Sequence, residues 1–264
     1  MTIGFEDLSI CLVEPSNVQG NIVRQRLEEE GVHNVQLFPD GLTALEGIRN
    51  YPPDLVISAM YLPDMTGTDL VIRMREDEDR AVRDVPFMLI SSETRLAMLE
   101  PVRQAGAVAI LPKPFAPEDL HRALLATVDL IHPSTESLDV VIEDLRVLVV
   151  DDSGMARRHI RRVIENLGIE HIDEAENGRQ AVEMIESTFY DLVFSDYNMP
   201  EMDGEMLTRY IRERSSQKSI PVILVTSERD SGRLSAVQQA GVSAICDKPF
   251  EPSVVRELIQ RALV

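Results

Sequence analysis

Five polar residues stand where short apolar runs end, and together they could carry phosphoryl chemistry. Asp151 and Asp152 follow the run 145–150, Asp196 follows 192–195, Thr226 follows 222–225, and Lys248, with Pro249 behind it, follows 243–246. In open parallel sheets, ligands bind outside the carboxyl ends of the strands, so these five positions are expected to converge. Three carboxylates brought together raise one another's pKa unless a cation neutralises them, and a hard divalent ion with oxygen ligands, Mg²⁺, is the expected partner. With the charge balanced, Asp196 can attack a phosphoryl donor as a carboxylate nucleophile. The acyl phosphate so formed needs ammonium and hydroxyl contacts, which Lys248 and Thr226 supply. Taken singly, each residue has a plainer reading: Asp151–Asp152 and Thr226 as helix caps, Asp196 and Lys248 as turn residues. One site explains all five at once.

The elements that must position these residues come in two copies. Pro53-Asp54-Leu55-Val56-Ile57-Ser58 with Leu62-Pro63-Asp64-Met65-Thr66-Gly67 reads like Tyr190-Asp191-Leu192-Val193-Phe194-Ser195 with Met199-Pro200-Glu201-Met202-Asp203-Gly204, 137 residues later. The offset falls to 135 by Lys113-Pro114-Phe115 and Lys248-Pro249-Phe250, which places two extra residues of the first copy in the charged stretch 75–84. A repeat this long is a duplicated domain and not a short-period solenoid. We expect domains at 1–133 and 144–264 joined by a linker at 134–143, where Pro133, Ser134 and Thr135 interrupt the helical pattern. Within each copy, apolar β-branched runs alternate with amphipathic segments such as 155–166, whose Ile160, Val163, Ile164 and Leu167 recur at helical spacing. The pattern predicts a doubly wound α/β fold with a parallel sheet of five strands and five helices per copy.

Composition narrows the classes. The 264 residues are 44% hydrophobic and 27% charged, as in a folded globular chain. The formal net charge of −19 argues against direct nucleic-acid binding. No apolar run approaches the length of a membrane span, and the first basic residue, Arg24, comes too late for a secretory signal, so a cytoplasmic protein is expected. Cys11 and Cys246 lie in or beside apolar runs and read as small buried hydrophobes, with neither a disulfide nor thiol chemistry expected.

At these residues the second copy, 144–264, resembles the receiver domains of two-component response regulators, with the flavodoxin-like (βα)5 fold of the chemotaxis regulator. The resemblance implies that Asp196 accepts a phosphoryl group from a histidine kinase or histidine phosphotransfer protein. It further implies that Asp151, Asp152, Asp196 and the backbone carbonyl of Asn198 hold Mg²⁺, and that Thr226 and Lys248 bind the phosphoryl oxygens. Ile245 stands where such domains usually carry an aromatic switch residue, which implies an altered output switch. Asn198 and Glu228 match positions that influence access of hydrolytic water in that family, so a short-lived phosphoryl state is expected.

The first copy keeps the frame and loses the acceptor. Asp151 aligns with Glu14, Asp152 with Pro15, Asp196 with Ala59, Thr226 with Ser91 and Lys248 with Lys113. Ala59 offers no atom to phosphorylate and Pro15 removes a metal ligand, so neither phosphorylation nor strong Mg²⁺ binding is expected there. Lys113 is expected to pair with Glu14 or pack its stem, and Ser58, matched by Ser195, reads as an ordinary strand residue. Ile110 again occupies the switch position. This copy resembles the pseudo-receivers of tandem regulators, which serve as docking or homodimerisation surfaces; the stripe of Leu120, Ala123, Leu124, Val128 and Ile131 covers its core, with some surface left for a partner.

The cluster Arg157, Arg158, Arg161 and Arg162, set in an acidic chain, is a candidate dock for an acidic patch on the phosphoryl donor. The expected function is thus phosphorylation-controlled contact with a downstream protein target, the chain catalysing only its own phosphorylation and dephosphorylation. The final helical pattern runs to Val264, which leaves the output to the receivers themselves or to a further domain, such as the diguanylate cyclase that follows similar tandems; a phosphate sink is a related reading. An aspartyl-phosphate phosphatase would want an acid where Asn198 stands and a cap over its substrate, and a purely structural protein would make no use of Asp196.

Overall fold

The computed structural model describes residues 4–131, 144–226, 237–248 and 252–263. The expected linker, 134–143, lies outside them. The chain divides into two compact units, Met1–Pro133 and Ser134–Val264.

In the first unit, β1 (Ser9–Val13), β2 (Asn34–Phe38), β3 (Leu55–Ala59), β4 (Phe87–Ser91) and β5 (Ala109–Pro112) form one parallel sheet in the order β2-β1-β3-β4-β5. Helices α1 (Asn17–Glu29), α2 (Gly41–Asn50), α3 (Gly67–Arg75), α4 (Arg80–Arg83), α5 (Leu96–Gln104) and α6 (Pro117–Ile131) connect and flank the strands. The second unit repeats the order with β6 (Arg146–Val150), β7 (His171–Ala175), β8 (Leu192–Asp196), β9 (Val222–Thr226) and β10 (Ala244–Asp247), arranged β10-β9-β8-β6-β7. Its helices include α7 (Gly154–Asn166), α8 (Gly178–Ser187), α9 (Gly204–Glu213) and, closing the unit, α10 (Pro252–Leu263), and residues 237–240 are helical as well. This is the doubly wound α/β architecture expected of both copies.

Burial explains which strands are easy to read. The inner strands β3, β4, β8 and β9 are buried along their whole length and read as unbroken apolar runs. The edge strand β7 buries only Ile172 and Ala175, so its apolar signal is faint. The stripe on α6 goes to the core: Leu120, Ala123 and Leu124 join a cluster with the strand residues Ile10, Leu12, Leu55 and Met88, and Val128 and Ile131 pack against it.

The two-residue surplus of the first copy appears as the short helix α4. One arginine fastens this region: buried Arg75 donates through Nε to the Ala105 carbonyl at 2.9 Å and through Nη1 to the carbonyls of Arg83 and Val85 at 2.7 and 2.8 Å. Arg212, its counterpart, serves the carbonyls of Gly241, Lys218 and Ile220. Arg75→Ala strands three backbone acceptors and is expected to cost about 3 kcal/mol, read as a lower urea midpoint of the full chain.

The repeated aspartates are also structural. Asp54 accepts from the Ser9 backbone N–H at 2.8 Å and Asp191 from that of Arg146 at 2.8 Å, so each carboxylate satisfies the entry of its unit's first strand. Cys11 and Cys246 are both buried, and burial pushes the Cys11 thiol up to about 12.

Candidate functional site

The strand order reverses between β6 and β8, so their carboxyl ends border a crevice. Val150 is in register with Ser195, and the residues that follow them, Asp151 and Asp196, therefore leave neighbouring strands side by side. Lys248, just past β10, reaches across: its Nζ lies 2.9 Å from Asp151 Oδ2 and 2.8 Å from Asp196 Oδ1. All three side chains are buried, whereas Asp152 is exposed at the rim.

One carboxylate oxygen from each of Asp151, Asp152 and Asp196 falls within 4.8 Å of the others. Three hard oxygen donors this close, two of them buried and one facing water, suit a small divalent cation that keeps part of its hydration shell. The electrostatics ask for one. Burial pushes Asp196 up to about 6 against the pull of the Lys248 ammonium, and the neighbouring Asp151 and Asp152 charges push the same way. Burial also disfavours the Lys248 ammonium, yet Asp196 and Asp151 hold its pKa above the ordinary lysine value.

Backbone donors fix the carboxylates. The Ser153 N–H donates to Asp151 Oδ1 at 2.8 Å and the Asn198 N–H to Asp196 Oδ2 at 3.0 Å. The cap of α7 is Ser153, whose hydroxyl accepts from the Ala156 N–H, and so Asp152 is not needed for that task. Thr226 is fully buried, and its carbonyl accepts the Lys248 backbone N–H at 2.9 Å, which brings these two residues together at the ends of β9 and β10. Glu228 and Pro249 lie outside the described residues. Ile245 packs against the cluster of Tyr197, Leu224 and Val237, so an aromatic residue does belong to its surroundings, Tyr197.

Gly204 is a site residue that reading by chemistry passes over, although it stands in the repeated motif. Its N–H donates to the Tyr197 carbonyl, and a Cβ here would run into the carbonyl oxygen of Asp196. Gly67 shows the same close approach, with the Ala59 carbonyl oxygen 2.5 Å from where a Cβ would sit. Only glycine lets the following helix start this near the strand end. Ser58 and Ser195 likewise match: each buried hydroxyl donates to the carbonyl of the next residue at 2.9 Å.

In the first unit, buried Glu14 follows β1 and pairs with Lys113 at 2.8 Å. Val13 is in register with Ser58, so Glu14 and Ala59 leave neighbouring strands side by side, and Pro15 is exposed. Ser91 is buried at the end of β4 and accepts from the Glu93 N–H at 3.0 Å. Tyr61, at the position of Asn198, donates its hydroxyl to Glu93, which also pairs with Arg95. One internal ion pair thus replaces the acid cluster.

The family model for the response regulator receiver domain matches this chain twice, over residues 10–125 and 147–260. The chain belongs to the receiver family. It is 37% identical over 120 residues to chemotaxis protein CheY1 of Helicobacter pylori, covering 45% of this chain and 97% of that one. It is 35% identical over 117 residues to chemotaxis protein CheY of Pseudomonas aeruginosa, covering 44% and 94%. A solved two-component response regulator/GGDEF domain protein aligns over 97% of this chain and 98% of its own, at 24% identity and a TM-score of 0.44. The protein is therefore a two-component response regulator with two receiver domains, and no helix among its described residues is long and apolar enough to cross a membrane.

The arginine cluster of the second receiver, the candidate dock, is in part engaged within its own unit. Arg157 pairs with Glu174 and Glu176 and is nearly buried, at 12% side-chain exposure; Arg161 pairs with Glu165 and Glu174. Acids on β7 and beyond it meet Arg157 and Arg161, a pairing hidden in the sequence because their strand is faint and remote along the chain. Arg158 remains exposed.

Proposed function

We propose that the second receiver accepts a phosphoryl group on Asp196 from a phosphohistidine donor, a histidine kinase or a histidine phosphotransfer protein, and that this changes its contacts with a downstream protein. The observation that carries the reading is the convergence of Asp151, Asp152, Asp196 and Lys248 at the switch point of the sheet. Asp151, Asp152, Asp196 and the backbone carbonyl of Asn198 would hold Mg²⁺, which when bound neutralises charge on the transferring phosphoryl oxygens.

The chain's own part is to hold a deprotonated Asp196 in place. The Asn198 N–H fixes one carboxylate oxygen, and Lys248 sits on the other, ready to meet a phosphoryl oxygen. As the Asp196 O–P bond forms, the P–N bond to the donor imidazole breaks and its electron pair leaves with the nitrogen. Thr226, next to Lys248, supplies a hydroxyl to the new phosphoryl group. The first receiver takes no phosphoryl group, since Ala59 has no acceptor atom and Glu14 is already matched by Lys113. Its role is docking, dimerisation or regulation, and the protein works in the cytoplasm.

The test is to treat the full chain with acetyl phosphate and Mg²⁺ and read the intact mass. One phosphoryl group per chain is expected. Two groups would overturn the silence of the first receiver, and none would overturn the phosphoacceptor reading.

A further inference from the structure

We propose that Arg157 is a positioning residue for the cation site of the second receiver, a clamp on the peptide that joins Asp151 to Asp152. The inference rests on the phosphoacceptor reading above. Arg157 Nη1 donates to the Asp151 carbonyl oxygen at 2.7 Å, while the Asp151 N–H donates to the Ala175 carbonyl at 3.2 Å. Asp151 is thus held on both sides. Because a peptide unit is planar, fixing that carbonyl also fixes the plane that carries the amide of Asp152 and its Cα, the anchor from which its side chain starts. Asp152 needs this most, for it is the exposed member of the three acids.

The guanidinium is itself held. Nε donates to Glu174 at 3.3 Å and Nη2 to Glu176 at 3.2 Å, so the planar fork is oriented by two carboxylates and its charge is matched close to a site meant for a cation. The first receiver provides an internal comparison. At the shared offset Arg157 corresponds to Gly20 and Glu174 to Leu37, and Leu37 packs where a Cβ of Gly20 would be, 2.9 Å from its Cδ1. The Glu14 N–H still donates to the Phe38 carbonyl, so the strand-side hold is common to both units. The arginine clamp occurs in the unit with the acid pair, and a glycine–leucine contact takes its place in the unit with Glu14–Pro15.

Charge and positioning predict opposite signs. Removing a cation near the site should by charge alone tighten Mg²⁺ binding, whereas removing a clamp should loosen it. The experiment is calorimetric titration of the full chain with Mg²⁺ for wild type, Arg157→Ala and the double variant Arg157→Gly/Glu174→Leu. The double variant keeps the net charge and installs packing that the first unit already uses. Both variants are expected to raise the Mg²⁺ dissociation constant about 10-fold, while phosphorylation by acetyl phosphate at saturating Mg²⁺ returns close to the wild-type rate. Unchanged or tighter Mg²⁺ binding in the folded double variant would overturn the clamp. Wild-type protein that binds no Mg²⁺ would instead overturn the phosphoacceptor reading, and the clamp with it.

Discussion

Asp196→Ala is expected to reduce phosphoryl uptake from acetyl phosphate to background, a loss of roughly two orders of magnitude or more for removal of a nucleophile. The variant should stay folded, because it recreates an arrangement that the chain already contains. Without Asp196, Lys248 keeps its 2.9 Å contact with Asp151, just as Lys113 pairs with Glu14 beside Ala59. It also removes a buried carboxylate whose charge the fold opposes. Urea denaturation in the presence of a chelator should therefore show no loss of stability, which separates lost chemistry from lost structure. Uptake that survives in the variant would mean that another residue is the acceptor.

The second large effect is expected from Lys248→Met, and it depends on pH. Breaking a buried ion pair by removing one partner costs about 3 kcal/mol, and here the partner removed serves two acids. Asp196 already titrates near 6 because burial outweighs Lys248; without the ammonium its pKa moves higher still. A carboxylate raised above its unfolded value of 3.8 is bound to its proton more tightly by the folded state, so its penalty is present above the folded pKa and relieved below it. The variant should accordingly be most destabilised at pH 8 and approach wild type near pH 5. Wild type itself should lose stability from this group as pH rises through about 6. Urea curves of the full chain at the two pH values, in chelator, check both; a pH-independent loss would show that Lys248 does not act through the charge on Asp196.

Much of this is readable in the sequence, and for a physical reason. Strand ends in a parallel sheet deliver side chains to one edge, so Asp151, Asp196 and Lys248 can be brought together from strand positions alone. The inner strands declare themselves by being apolar on both faces. What cannot be read are partnerships set by packing across the unit. Arg157 and Arg161 look like an open basic face because Glu174 and Glu176, which meet them, come from the end of the edge strand with the weakest apolar signal and just beyond it. Arg75 and Arg212 look like charged helix ends, yet their guanidinium groups serve backbone carbonyls of distant turns. Gly67 and Gly204 stand in plain view within the repeat, but the clash that requires them exists only once the helix is laid against the strand.

The ion pair of Glu14 with Lys113 has a consequence for how the two halves meet their surroundings. In the second receiver three acids face one lysine, which leaves the excess negative charge that the proposed cation would balance. In the first, one acid faces one lysine and the balance is closed within the chain. One half of the molecule is therefore open to the ionic composition of the solvent at its strand ends, and the other carries its counter-ion covalently. If the second receiver binds Mg²⁺ as proposed, a chelator should act on only one of the two, which would give every measurement on the intact chain a built-in reference.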